Sequence, residues 1–294
     1  MRSAPPATVL FDTPGPRARA RYHAMSVATV LVAGLLGWVI YSRLSAKGQL
    51  TAEKWTPFLT ADLWRTYVLP GVMGTLTAAA WSIGLALILG VSLGVGRLSQ
   101  IKPVRWSCAV TVEFFRAIPV LIMMIFAYFI YGLLNVFPPQ QIALAGVVTG
   151  LTLYNGAVIA EIVRAGVKAL PGGQSEAAAA LGLGWGASMR LVLLPQAVTA
   201  MLPVLVSQLV VVLKDTAIGY QITFVEMVRQ GTVVGSQYSN YLPALLVIAA
   251  LMITGNLALS AAAIRLERRL CRARHSPLGA ATIEPEGTPG ARVV

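Results

Sequence analysis

Long stretches without a charged residue alternate with short polar breaks along this chain. Ala24 to Ser42 is uncharged, Thr66 to Gly96 is uncharged, and so are Ala117 to Ala160, Leu191 to Leu213 and Gln230 to Ile264. Pro138-Pro139-Gln140-Gln141 divides the third stretch, and the apolar part of the last begins near Tyr241. A bilayer crossing needs about 20 predominantly apolar residues. The pattern therefore predicts six helices, at 24–43, 71–97, 112–135, 142–164, 197–216 and 241–264. A closed β-barrel also spans membranes, but it needs ten-residue strands of alternating polarity, and these runs do not alternate. The expected fold is an all-α polytopic membrane protein.

Composition narrows the classes further. Hydrophobic residues make up 56% of the chain, charged residues only 12%, and the mean hydropathy is +0.72. A soluble domain carries about 25% charge, so neither a soluble enzyme nor a disordered chain fits. Cys108 and Cys271 are too few for a disulfide scaffold and are expected as reduced thiols near the cytoplasmic face. The net charge of +12 would suit nucleic acid in a soluble protein. In a membrane protein, basic residues instead mark cytoplasmic loops, and no nucleic acid is expected as partner. Placing both termini inside puts Arg17, Arg97, Lys102, Arg105, Arg164, Lys168, Arg190 and the carboxy-terminal arginines on one side. Arg43, Lys47, Lys54, Arg65 and Arg229 remain outside.

The expected organisation is a disordered basic tail over 1–23, a transmembrane helix over 24–43 and an extracytoplasmic loop over 44–69. A helical core over 70–265 follows, then a cytoplasmic basic tail over 266–294. The first apolar run is long for a signal-peptide core, which favours an uncleaved anchor.

Familiar catalytic chemistry is missing from the residues. No G-x-x-x-x-G-K-[ST] segment cradles phosphate, no G-x-S-x-G elbow or HExxH helix is present, and His23 and His275 stand far from any cysteine pair. Active transport by such a chain would draw energy from an ion gradient or from a partner. The informative break is 165–196, AGVKALPGGQSEAAAALGLGWGASMRLVLLPQ. Ser175 is placed to cap a helix beginning at Glu176, with the carboxylate near the positive helix end. Gly182 is placed to end that helix, because glycine enters left-handed dihedrals cheaply. A second short helix is expected over about 187–194, with Pro195 stopping it and starting the next span.

Glu176-Ala177-Ala178, three residues, Gly182, nine residues, then Val192-x-Leu194-Pro195 resembles the EAA signature of binding-protein-dependent ABC importer permeases. Val192 stands where that family has Ile. The resemblance implies that 168–196 is a coupling loop seated in a groove of a separate ATPase subunit, with Glu176, Ala177, Ala178, Gly182, Leu194 and Pro195 as coupling residues. It implies that ATP and Mg are held by that ATPase, that this chain binds no cofactor and is no enzyme, and that the other partners are a second permease chain and an extracytoplasmic substrate-binding protein. Further segments are similar to the polar amino-acid branch: Glu113 to Pro119 (EFFRAIP), Tyr154 through Glu161-Ile162-Val163-Arg164, Gly173 to Ala178, and Lys214-Asp215-Thr216-Ala217. The resemblance covers about 70–265 and implies a five-helix core plus one added amino-terminal helix, most like certain glutamate-type subunits.

Ionisable groups in membrane helices are costly and are either paired or functional. Glu113 with Arg116, and Glu161 with Arg164, each lie three residues apart on one helix face. Each reads either as a local pair fixing a helix end or as part of a gate at the cytoplasmic mouth. Asn155 reads as a bond to a neighbouring helix or as a cavity-facing amide. Lys214 and Asp215 could bind the two charged ends of an amino acid, or anchor the helix at the outer boundary. Gly90, Gly94, Gly96, Gly146 and Gly150 read as close-packing positions, including a dimer interface. Pro119 and Pro203 are expected inside spans, where they bend helices around a cavity.

The expectation is the permease subunit of an ATP-driven importer for a polar amino acid, glutamate first. The same machinery carrying glutamine, arginine, histidine or an opine stays open. So do an ion-driven secondary transporter and a non-transporting scaffold.

Overall fold

The computed structural model describes residues 15–274, and no strand occurs among them. Five helices are long and apolar enough to cross a membrane. These are α1 (Pro16–Ala46), α3 (Ala61–Gly96), α6 (Pro139–Lys168), α8 (Trp185–Ile222) and α10, whose apolar part is Tyr241–Ala262. Between α1 and α3 lie the short α2 (Ala52–Trp55) and a 3-10 turn, Thr56–Leu59. Helix α7 (Gly173–Ala180) follows α6, and α9 (Met227–Gln237) precedes α10 (Tyr241–Arg274).

The expected single crossing at 112–135 is instead two helices. These are α4 (Lys102–Ala117) and α5 (Val120–Leu134), and they meet at 99°. The cause lies in Ile118-Pro119. Proline disfavours the helical region for its predecessor, and here Ile118 is extended at φ −90°, ψ 130°. Pro119 is therefore the break between two helices and not a bend inside one. Pro203 does lie within a helix, as expected.

Pro195 also departs from expectation. The helix does not stop there but runs on from Trp185 through Ile222. A π turn at Met189–Leu193 precedes Leu194-Pro195, and another at Trp64–Val68 precedes Leu69-Pro70. A proline ring in a regular α-helix clashes with the carbonyl four residues back. The wider π turn, closed by Leu194 N–H on Met189 O and by Leu69 N–H on Trp64 O, lets the chain continue.

Helix boundaries differ at both ends of the chain. Residues 16–23, expected as disordered tail, begin α1. The loop expected over 44–69 is shortened by α2 and by the early start of α3, and α10 extends beyond 265. The expectations for 1–14, for 275–294 and for the Cys271 thiol lie outside the described residues and side chains. Cys108 is a free thiol.

Helix α6 is the central post. Its apolar window is 44% buried, whereas none of α1 is buried. Small residues let α3 approach it closely: a Cβ on Gly90 would fall 2.6 Å from Ile159 Cβ, and one on Gly94 would fall 2.8 Å from Ala160 O. Gly150 lies similarly against Met124 of α5. These glycines, expected to include a dimer interface, pack within the chain, and Gly96 lies against Cys108. The main apolar cluster joins Ala78, Met124, Val147, Leu151 and Val212 with Ile222 and Phe224. The last part of α8, Thr216–Ile222, tightens to a 3-10 helix and packs into the bundle, with Gly219 against Val147.

Candidate functional site

Three polar arrangements stand out, and the first lies where α6 nears its carboxyl end. Glu161 and Arg164 form the expected ion pair through two hydrogen bonds, with Arg164 Nε 2.9 Å from Glu161 Oε2 and Arg164 Nη2 bonded to Oε1. Glu113 and Arg116 of α4 form the other, at 3.6 Å. They are not two separate local pairs. Arg97, at the end of α3, donates from Nη1 to Glu161 at 2.8 Å and from Nη2 to Glu113 at 3.0 Å. Its planar fork thus links carboxylates on α4 and α6, which a lysine could not do with the same geometry. Arg97 is only 12% exposed. Along the chain Arg97 is marked only as an inner-side charge, because its partners lie 16 and 64 residues away, beyond any local spacing rule.

The second arrangement is the knob after α6. Helix α7 begins at Gly173, earlier than expected, and Ser175 does not cap it; its hydroxyl donates back to Gly172 O at 2.8 Å. Glu176 lies in the first turn as expected and is exposed with Ala177. Ala178 is buried, at 2% exposure. Gly182 ends the helix at φ +71°, with Gly182 N–H on Ala179 O at 2.9 Å and Leu183 N–H on Ala178 O at 3.1 Å. This double closure is the Schellman arrangement that a left-handed glycine permits. Leu181, beside it, is 81% exposed, an apolar tip that the motif did not single out. Leu194 and Pro195 are half-buried at the start of the long part of α8. Gln196 Nε2 bonds Gln174 Oε1 at 3.1 Å, tying α8 to the first turn of α7.

The third arrangement runs through the bundle. Asn155 is fully buried; its amide donates to Leu151 O at 2.9 Å, and its carbonyl accepts from Gln208 Nε2 of α8 at 2.7 Å. Of its two readings the interhelical bond is observed, and its partner Gln208, 53 residues away, carries no local signal in the sequence. Thr149 shares a hydrogen bond with Tyr131 at 2.8 Å. Lys214 Nζ and Asp215 Oδ1 are 4.0 Å apart. The turn that follows them packs against Val147, eight residues inside the start of α6, so the pair lies below the rim of the bundle. Between α8 and α10, Glu226 is fully buried and caps α9, accepting from Val228 N–H at 2.8 Å and Arg229 N–H at 2.6 Å. Burial raises its carboxyl to about 7, against the lowering effect of those two bonds.

No group of three or more potential metal ligands occurs among the described residues. Residues 86–272 match the family described as the binding-protein-dependent transport system inner membrane component. The chain belongs to this family.

Like other binding-protein-dependent permeases, it is a multi-pass membrane protein and a subunit of an ABC import system. It is 55% identical over 227 residues to the glutamate transport system permease protein GluD of Corynebacterium glutamicum, covering 77% of this chain and 83% of that one. It is 32% identical over 176 residues to the glutamate/aspartate import permease protein GltK of Escherichia coli O6:H1, covering 58% and 79%. Among solved structures, an amino acid ABC transporter crystallised with histidines superimposes with a TM-score of 0.62 at 30% identity, covering 68% of this chain and 92% of that one. The relatives are permease subunits and not ATPases. The family works with ATPase and substrate-binding subunits.

Proposed function

We propose that this permease carries a polar amino acid into the cell, glutamate first. The observation that carries the cargo is the 55% identity to a relative named for glutamate transport. The knob end is cytoplasmic in this reading, because Arg97, Lys102, Arg105, Arg164, Lys168 and Arg190 gather there. A soluble binding protein delivers the amino acid to the opposite face, and two permease chains, identical or homologous, enclose the pathway. ATP and Mg belong to separate ATPase subunits.

Each polar arrangement then takes a role. Exposed Glu176, Ala177 and Leu181 meet the ATPase, and the Gly182 closure keeps α7 rigid against α8. The Gln174–Gln196 bond passes motion into α8, which extends through the bundle to Lys214 and Asp215. Those two residues offer an ammonium to a substrate carboxylate and a carboxylate to its amine. Arg97, with Glu113, Arg116, Glu161 and Arg164, latches α3, α4 and α6 together at the cytoplasmic mouth and separates when it opens. Asn155 and Gln208 hold α6 to α8 midway.

Uptake of labelled glutamate in cells with and without the chain tests this reading, with glutamine, arginine, histidine and aspartate as competitors. Loss of uptake on deletion, and with a catalytically dead ATPase, is the expected result. Uptake that needs the chain but survives the dead ATPase would point to an ion-driven carrier, and the competition pattern names the cargo.

A further inference from the structure

Helix α4 breaks a span, yet it also presents three distinct strips at helical spacing. Val112 and Cys108 turn inward, Val112 fully buried in a cluster with Ala157 and Ala160, Cys108 against Gly96. Lys102, Arg105, Ala109, Glu113 and Arg116 form a second strip. Three of these, Lys102, Arg105 and Ala109, wall an open cavity of about 500 Å³ whose far side is Arg97, Arg164 and Lys168. Trp106, Val110 and Phe114 recur at every fourth residue as the third strip, 70%, 47% and 58% exposed. Trp106 belongs to both, because it also lines the cavity.

Charge in this basin is unbalanced. Arg97 and Arg164 are held by Glu113 and Glu161. Among the described residues, Lys102, Arg105 and Lys168 have no carboxylate within ion-pair distance; Arg105 Nη1 donates only to Ser99 O, at 3.0 Å. Helix α5 runs beside α6, with Met124 against Gly150 and Tyr128 against Gly146, so it follows the direction of the spans. Helix α4 meets α5 at 99° and descends beside α6 from the cavity, where Lys102 and Lys168 share the wall, to Val112 against Ala157 and Ala160. An amphipathic helix that enters there, with tryptophan at the lip of a basic hollow, matches how interfacial segments meet anionic membranes.

We infer that the amino-terminal end of α4 lies in the membrane interface at the knob end, and that the cavity between α4 and α6 seats the phosphate headgroup of an anionic phospholipid. The acyl chains run along Trp106, Val110 and Phe114. A free anion would use the cations but would leave that adjoining apolar strip unexplained, which is why a lipid is the occupant. Assignment to the cytoplasmic leaflet rests on the orientation proposed above.

The test is native mass spectrometry of the intact transporter, its ATPase included, titrated with phosphatidylglycerol or phosphatidylcholine. Substituting Lys102→Gln, Arg105→Gln and Lys168→Gln together is expected to weaken phosphatidylglycerol retention by about a hundredfold, at roughly one basic contact each. Phosphatidylcholine binding stays unchanged. Should the triple variant not assemble, Trp106→Ala, which alters no charge, is expected to reduce retention severalfold. Retention equal to wild type in whichever variant assembles overturns the proposal. So does displacement of the lipid by millimolar inorganic phosphate or glutamate, which would make the cavity a soluble-anion site. The readout does not involve uptake, so retained lipid with no amino-acid transport would sink the proposed function alone. Labelling of a Lys102→Cys variant only from outside the cell would sink the leaflet assignment alone.

Discussion

The knob and the arginine–carboxylate cluster sit close together on the chain's cytoplasmic side in our reading, yet they are built in opposite ways. The knob is made from one continuous stretch, and its defining features are a left-handed glycine and backbone bonds spanning a few residues. The cluster draws on three helices, and its pivotal residue meets a carboxylate 64 positions away. A local device depends on what each residue's backbone permits. A convergent one depends on where separate helices are held, here by the close α3–α6 packing at Gly90 and Gly94. Changes to the knob should therefore impair transport without touching the fold, whereas changes to the cluster should affect both.

The largest effect is expected for Gly182→Val. Its φ of +71° excludes β-branched side chains, while no atom lies within 4 Å of the position a Cβ would take. Uptake should fall to background with membrane insertion and thermal stability of the bundle nearly unchanged. Normal uptake in that variant would remove the coupling role from the knob.

Arg97→Gln should come next, lowering uptake about tenfold and stability by about 1–3 kcal/mol. That is below the cost of breaking a fully buried pair, because its partners are partly exposed. A double-mutant cycle with Glu161→Gln should show coupling of about 1 kcal/mol or more. Strict additivity would mean the two charges do not act as one latch.

A smaller, pH-dependent effect is expected at the start of α9. Glu226, outside the spans, has a folded pKa raised from 4.5 to about 7 by burial. A raised carboxyl means the folded state holds the proton more tightly than the unfolded one. Stability should be highest below pH 4.5, decline as pH rises to about 7 and level off above. Thermal melts of Glu226→Gln across that range should lack this slope; an unaltered slope would place its origin elsewhere.

The smallest effect is expected for Asn155→Leu, which removes the bond to Gln208. Interhelical hydrogen bonds inside membranes contribute only about 0.6 kcal/mol on average, so a loss of about 1 kcal/mol or less should appear in the melting temperature. A severalfold change in the apparent affinity for glutamate would instead show that Asn155 faces the substrate.

Much of the architecture was legible because membranes impose strong one-dimensional rules. Uncharged runs located α1, α3, α6, α8 and α10, since backbone polar groups in lipid must be satisfied within a helix. Gly182 was legible for the same kind of reason: few residues other than glycine take the backbone conformation that ends α7. Proline was read less well. Pro119 follows an extended Ile118 and divides α4 from α5, whereas Pro195 follows a π turn and divides nothing.

By itself, then, the sequence determined the helical class, the positions of the long spans and the hinged knob. Each follows from polarity or backbone freedom within a few residues. Only the tertiary structure decided that Arg97 joins two ion pairs into one cluster, that Asn155 meets Gln208, and that α4 leaves the direction of α5 with a basic hollow along its side. Those relations depend on close packing of helices far apart in the chain, and pairwise distance across such contacts leaves no periodic trace in the order of residues.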